Sequence, residues 1–247
     1  MRMRVARSLI VGASAGLGRA LAEHLAVAGH DLFLIASDER DLAAMRDDLR
    51  IRHAAKVAIL AMDLAAPEPA CLRTEVLAQL GGIDNLFYVA GVSRMDADAL
   101  ADDVLNRLVA VNFTSGLRII NAFLADLSKN ADANIVGMGS VAAARGRRMN
   151  SVYCAAKRGF EAYFEALRHR LAGLPCRVQF YRLGYLRTRM TFGQKLLLPA
   201  LDPAVAAQVI AANLGKDTGL VYLPWWWRPV SAIIVRLPWP IFKRLNI

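Results

Sequence analysis

Seven short apolar runs recur along the chain, alternating with helix-like segments. The runs are SLIVGA, LFLIA, KVAILAMD, IDNLFYVAG, ANIVGMGS, CRVQFYRLG and GLVYL. Each is nearly continuous in apolar residues, as strands buried on both faces should be. Alternating strands and helices build a parallel sheet with helices on both sides, and right-handed crossovers wind it in both directions. The expected class is α/β, a doubly wound parallel sheet. No linker, repeat or low-complexity block divides the chain, and 247 residues suffice for one such domain with its own core. The periodicity predicts two long helices, over about Ala101–Leu127 and Ser151–Leu171.

The loop after the first run carries the first chemical signal. VGASAGLGRALAEHLA puts Gly12, Gly16 and Gly18 between a strand and a helix. Gly12 permits the tight turn, and the later glycines let a pyrophosphate approach the backbone. The helix N-terminus offers free N–H groups and positive potential, to which Ser14 adds a hydroxyl. The spacing is G-x-x-x-G-x-G rather than the commoner G-x-G-x-x-G. Glycines also end strands for packing reasons, but the strand–loop–helix context favours a dinucleotide. Asp63 closes the third run, where a carboxylate could accept a hydrogen bond from an adenine amino group or serve as an ordinary loop cap. The second run ends IASDER. Asp38 there would favour the free ribose hydroxyls of NAD(H), whereas Arg40 could meet the 2′-phosphate of NADP(H). The expected cofactor is NAD(H) or NADP(H), leaning towards NAD(H).

The segment GSVAAARGRRMNSVYCAAKRGF holds the chemical centre. Ser140 ends a strand. Tyr153 and Lys157, four residues apart on a helix, share one face. A free phenol titrates near ~10, too high to exchange protons readily at neutral pH. A nearby ammonium favours the phenolate, which makes Tyr153 a general acid/base suited to carbonyl–alcohol interconversion. Ser140 would hold the carbonyl oxygen. Tyr-x-x-x-Lys alone is a common helical surface pair; the glycine loop and the serine give it meaning.

In order and spacing, GASAGLG, YVAG, Asn112 in AVNF, MGS, YCAAK and RLGYLRTRM resemble the short-chain dehydrogenase/reductase family over the whole chain. The resemblance implies a Rossmann sheet and a catalytic tetrad of Asn112, Ser140, Tyr153 and Lys157, with Asn112 holding a water that relays protons to the lysine. It implies cofactor contacts from Gly12, Ser14, Gly16, Leu17, Gly18, Asp63, Ala90, Gly91, Tyr153 and Lys157, and from Thr188 beside the nicotinamide amide. Two positions depart from the family. Val89 stands where N-A-G has asparagine, and Leu183 where P-G has proline. An alternative within this fold is a non-catalytic NAD(P)-binding scaffold, against which the intact Ser140, Tyr153 and Lys157 argue.

The formal net charge is +10. Such a balance suits nucleic acid, an anionic membrane or an anionic substrate. No zinc-ligand spacing, helix-turn-helix or RNA-binding aromatic signature is present, so nucleic acid is not expected. Arg145, Arg147 and Arg148 precede the catalytic tyrosine, and Arg158, Arg182, Arg187 and Arg189 are further candidates. Guanidinium groups suit phosphate recognition, although any one of them could equally be a solvated face. Cys71, Cys154 and Cys176 are scattered and odd in number. They suggest neither a disulfide framework nor a metal site, and a reducing cytoplasm is the simplest setting.

The chain ends WWWRPVSAIIVRLPWPIFKRLNI, and the reading divides it into a domain over 1–224 and an amphipathic aromatic and basic tail over 225–247. Pro229 suits the first turn of a helix, and Val230, Ile233, Ile234 and Leu237 follow one stripe. No uncharged apolar run approaches the ~20 residues of a membrane span. Tryptophans beside cations suit a membrane–water interface, while packing on the enzyme's own body is the equal alternative. With RGRRMNSVYCAAK and LGYLRTRM, the ending IFKRLNI resembles one branch of the family, the reductases of a 2-keto pentose carried on a polyprenyl phosphate. That branch implies a lipid-phosphate-linked keto-sugar substrate, a flavin oxidase partner and peripheral contact with the inner face of an anionic membrane. The wider family implies a homo-oligomer. Another lipid-like ketone, such as a ketosphinganine or fatty ketone, is the alternative substrate.

Overall fold

Strand residues pack alternately to two sides of one sheet. Leu9, Val11, Phe33, Ile35, Leu86 and Tyr88 join one buried cluster, while their neighbours Ile10, Leu32, Leu34 and Phe87 join another. Both faces are therefore covered, as the uninterrupted apolar runs required. The computed structural model describes residues 4–96, 98–194, 196 and 198–245. Its strands are β1 Arg7–Val11, β2 Asp31–Ala36, β3 Val57–Ala61, β4 Asn85–Tyr88, β5 Asn134–Ser140, β6 Arg177–Leu183 and β7 Leu220–Leu223. All seven pair in parallel, in the order β3-β2-β1-β4-β5-β6-β7. The Rossmann-type sheet matches the expectation strand for strand.

The helices divide between the faces. On one side lie α1 (Gly16–Val27), α2 (Glu39–His53) and α7 (Pro203–Ala212). On the other lie α3 (Pro69–Leu80), α5 (Ser115–Leu127) and α6 (Ser151–Arg170). The helix expected over 101–127 runs from α4 (Asp102–Val109) to α5 through one π-helical turn, Ala110–Thr114. Asp102–Leu127 is long and apolar enough to cross a membrane by composition. Its Ile119, Ile120, Phe123, Leu124 and Leu127 instead pack into the core.

The chain reverses its direction of travel across the sheet between β1 and β4. Open α/β sheets bind ligands in the crevice outside that point. The loops there touch closely. Val89 and Ala90 both donate their N–H to the Val11 carbonyl, at 2.9 and 3.0 Å.

The tail forms α8 (Trp227–Arg236) and α9 (Trp239–Phe242), and its final Asn246 and Ile247 lie outside the described residues. Among the described tail residues Trp227, Ser231 and Phe242 are buried, whereas Ile233, from the apolar stripe read in the sequence, is 63% exposed. The indole of Trp227 lies over Gly184, where no side chain stands in its way. A β-carbon at Gly184 would lie 1.8 Å from Trp227 Nε1. Trp226 stacks on the outer side of Trp227 at 4.9 Å, and Tyr185 meets its edge at 5.5 Å.

Candidate active site

The glycine loop closes on itself. Gly12 and Gly16 adopt left-handed φ values of +94° and +53°, which a side chain would strain. A β-carbon at Gly12 would lie 2.7 Å from Ala90 Cα, and one at Gly18 would lie 2.0 Å from the Gly12 carbonyl. Gly18 thus lets α1 start hard against the turn. No side chain caps α1, so its first N–H groups face the crevice beside Ser14, with Leu17 buried beneath. This cradle fits a dinucleotide pyrophosphate. The loop after β6 lies over it, with Thr188 Cγ2 3.1 Å from a β-carbon placed on Gly16.

Two acids near the adenosine end serve local structure. Asp38 Oδ1 accepts the Asp41 N–H at 3.0 Å and so caps α2. Arg40 has no ion-pair partner among the described residues. Asp63 lies two residues beyond β3. Its Oδ1 accepts the Ala65 N–H at 3.0 Å, and Oδ2 pairs with Arg107 at 3.2 Å. The Ala65 N–H, with Arg107 beside it, holds this carboxyl below its ordinary value against an opposing desolvation.

Ser140, Tyr153 and Lys157 meet above the C-terminal end of β5. The Ser140 hydroxyl oxygen accepts the Ala142 N–H at 3.1 Å, starting a 3₁₀ turn over Val141–Ala144. Leu183, the departure from proline, ends β6 in register with Ser140 and Leu223. Val89, the departure from asparagine, packs against the apolar cluster on the α1 face.

Lys157 is 4% exposed. Its Nζ donates to the Met138 carbonyl at 3.1 Å and the Ala90 carbonyl at 3.3 Å. Burial lowers its pKa to about 8. Asn112 sits in the π turn, a feature that often marks functional sites. Its Nδ2 donates to the Val92 and Leu108 carbonyls at 2.7 and 2.9 Å, and its Oδ1 accepts the Val92 N–H at 3.2 Å. A β-carbon at Gly91 would lie 3.2 Å from Asn112 Oδ1 and 3.3 Å from Lys157 Nζ. Asn112 and Lys157 therefore flank Gly91 together, and the buried amide fixes the segment after β4.

Burial pushes the Tyr153 phenol above the ordinary tyrosine value. The Ser140 hydroxyl pulls it back, the Cys154 thiol adds to the rise, and the Arg147 guanidinium opposes it. The Lys157 ammonium, four residues along the same helix from Tyr153, donates to the Met138 and Ala90 carbonyls.

The arginine group also divides. Arg182 pairs with Glu161 and with the Tyr222 hydroxyl inside the protein. Arg187 pairs with Asp202 at 2.9 Å and Arg189 with Asp41 at 3.7 Å. Arg158 shares Glu161 at 3.5 Å. Arg145 holds the tail, donating to the Ile234 and Leu237 carbonyls at 2.9 and 2.6 Å. Only Arg147 and Arg148 of this set engage neither an acid nor the tail among the described residues.

One positioning residue escaped the sequence reading. Asp96 accepts the Ser151 N–H, the Ser151 hydroxyl and the Val152 N–H, each at 2.8 Å. It caps the helix that carries Tyr153 from 55 residues away. Burial works to raise its pKa, but these donors outweigh it and hold the carboxyl low. No local spacing announces such a cap.

Comparison with known proteins gives a consistent picture. A family model described as short chain dehydrogenase matches residues 7–195. An uncharacterized oxidoreductase of Mycobacterium tuberculosis is 28% identical over 245 residues, covering 96% of this chain and 94% of its own. The 3-oxoacyl-(acyl-carrier-protein) reductase of Escherichia coli is 28% identical over 212 residues, covering 84% and 83%. Among solved structures, a short-chain dehydrogenase from Sphingobium yanoikuyae in complex with NADPH superposes with a TM-score of 0.82 at 23% identity. That match covers 95% of this chain and 97% of the other.

Proposed function

The chain belongs to the short-chain dehydrogenase family, and from that premise we propose that it is an NAD(P)H-dependent reductase of a keto group. Its substrate, in this reading, is the 2-keto sugar of a polyprenyl-phosphoryl pentose. The observation that carries the reductase assignment is the meeting of Ser140, Tyr153 and Lys157 beside the glycine cradle. Gly12, Ser14, Gly16, Leu17 and Gly18 would hold the pyrophosphate, with Ala90, Gly91 and Thr188 towards the nicotinamide end. When bound, NAD(P)H supplies the hydride.

The chain's own residues handle the oxygen and its proton. The Ser140 hydroxyl donates to the substrate carbonyl oxygen while its own oxygen accepts the Ala142 N–H. Burial keeps the Tyr153 phenol protonated, which suits delivery of a proton to the developing alkoxide. The Arg147 guanidinium favours the phenolate left behind. Lys157, whose pKa is lowered to about 8, can lose a proton near neutral pH and so help reprotonate the phenol. Asn112 keeps the Gly91–Val92 segment, and with it Lys157, in place.

The substrate rests on resemblance. RGRRMNSVYCAAK, LGYLRTRM and IFKRLNI resemble decaprenylphosphoryl-2-keto-ribose reductase, and the tail bears exposed Trp225 and Trp239 beside cations. These support a lipid phosphate substrate met at the cytoplasmic face of a membrane. The test is reduction of a synthetic polyprenyl-phosphoryl 2-keto-pentose, run separately with NADH and NADPH. Turnover with either cofactor is expected. Reduction of simple fatty ketones together with no turnover of the keto-pentose would reject the substrate.

A further inference from the structure

A cavity of about 630 Å³ opens between the segment before Tyr153 and the end of the chain. Its cationic side includes Arg147, Arg148 and Arg158 from that segment and from α6, and Lys243 from the tail. Its apolar side includes Trp239 and Phe242. No aspartate or glutamate among the described residues lines it. Arg147 and Arg148 are without ion-pair partners among the described residues, and Arg158 reaches only a glutamate already bound by Arg182.

Such a concentration of cations repels itself unless an anion joins it. The guanidinium groups offer paired donors that match phosphate oxygens. Against the opposite wall, exposed Trp239 and buried Phe242 present aromatic surface to an apolar chain. Arg145 fixes that wall, since its guanidinium lies 3.8 Å from the Phe242 ring centroid and bonds two carbonyls of the tail. The pocket is therefore built rather than a chance meeting of mobile side chains.

We propose that this cavity binds the phosphate group of a lipid, with the phosphate on Arg147, Arg148 and Lys243 and the chain along Trp239 and Phe242. This rests on, and deepens, the lipid phosphate reading above, because it names where the phosphate is held. Cys154, next in the chain to Tyr153, also lines the cavity, so a bound anion would sit beside the helix that carries the tyrosine.

Farnesyl phosphate, farnesol and inorganic phosphate serve as probes in calorimetric titrations of the full chain. None carries a ketone, so the result is independent of whether the keto-sugar is a substrate. Farnesyl phosphate should bind at least ~10-fold more tightly than either farnesol or inorganic phosphate, a difference one well-placed charged contact supplies. In the Arg148→Glu/Lys243→Glu double variant the preference over farnesol should fall below ~3-fold, whereas Arg148→Lys/Lys243→Arg should retain it. A double variant that fails to fold would lose farnesol binding too, and Arg148→Gln/Lys243→Gln then carries the same comparison. Competition by phosphatidylglycerol vesicles would assign the site to a bilayer headgroup. Competition by the polyprenyl-phosphoryl substrate alone would assign it to substrate. Either result supports the lipid phosphate site. Equal affinity for farnesol and farnesyl phosphate, or a preference untouched by charge reversal, would overturn it.

Discussion

The guanidinium of Arg145 lies 3.8 Å from the centre of the Phe242 ring, across 97 residues of chain. The same group donates to the Ile234 and Leu237 carbonyls that end α8. The loop before the catalytic tyrosine and the end of the chain are thus one unit. Arg145→Ala should cost about 2–4 kcal/mol, since it removes two charge-assisted hydrogen bonds and a cation–π contact. Thermal unfolding should drop by roughly 4–15 °C for a chain of this size. Amide exchange in α8 and α9 should accelerate more than exchange in β1–β5. Uniform acceleration would show that Arg145 stabilises the fold generally rather than the tail.

In the proposed reaction, Tyr153→Phe removes the hydroxyl that gives the developing alkoxide its proton. NAD(P)H oxidation with ketone should fall about 10²–10⁴-fold. Cofactor affinity, measured by fluorescence titration, should change less than ~3-fold, because the ring and its burial are kept. A variant as fast as the parent would remove Tyr153 from the chemistry.

Lys157 titrates at about 8 in the folded chain, against an ordinary 10.5. Between those values the unfolded chain binds more protons than the folded one. Stability should therefore rise with pH across about 8 to 10.5 and be lost again as pH falls through 8. The full shift corresponds to ~3 kcal/mol. Urea unfolding of wild type and Lys157→Met at pH 7, 8, 9 and 10 isolates this contribution, and the variant should show a flatter profile. Parallel profiles would mean that the ammonium is solvated.

Glu161 and Arg182 form an ion pair with side chains only 12% and 10% exposed. Arg182→Met leaves Glu161 only the exposed Arg158 at 3.5 Å and should destabilise the protein by up to ~3–5 kcal/mol, whereas Arg182→Met/Glu161→Leu should recover most of that loss. Denaturant midpoints of the two variants make the comparison. If the double variant is no more stable than the single one, apolar replacement of the pair fails and the charges hold the β6–α6 packing.

The sequence alone determined the sheet, because strand burial on two faces and a helix between strands leave a local signature in apolar periodicity. It likewise marked the glycine loop, where left-handed turns at Gly12 and Gly16 admit few other residues, and the four-residue spacing that puts Tyr153 and Lys157 on one helix face. Contacts between distant segments have no such signature. Only the tertiary structure decided that Asp96 caps the helix carrying Tyr153, that Lys157 donates to the Met138 and Ala90 carbonyls, and that Arg182 meets its acid inside the protein while Arg187 and Arg189 meet theirs on its surface. It also decided the tail's orientation. Amphipathic spacing left open whether the stripe packs on the enzyme or faces outward; Trp227 fills the space over Gly184, and Ile233 is exposed. A stripe reports which residues share a face, whereas the volume available across the chain selects which face is covered.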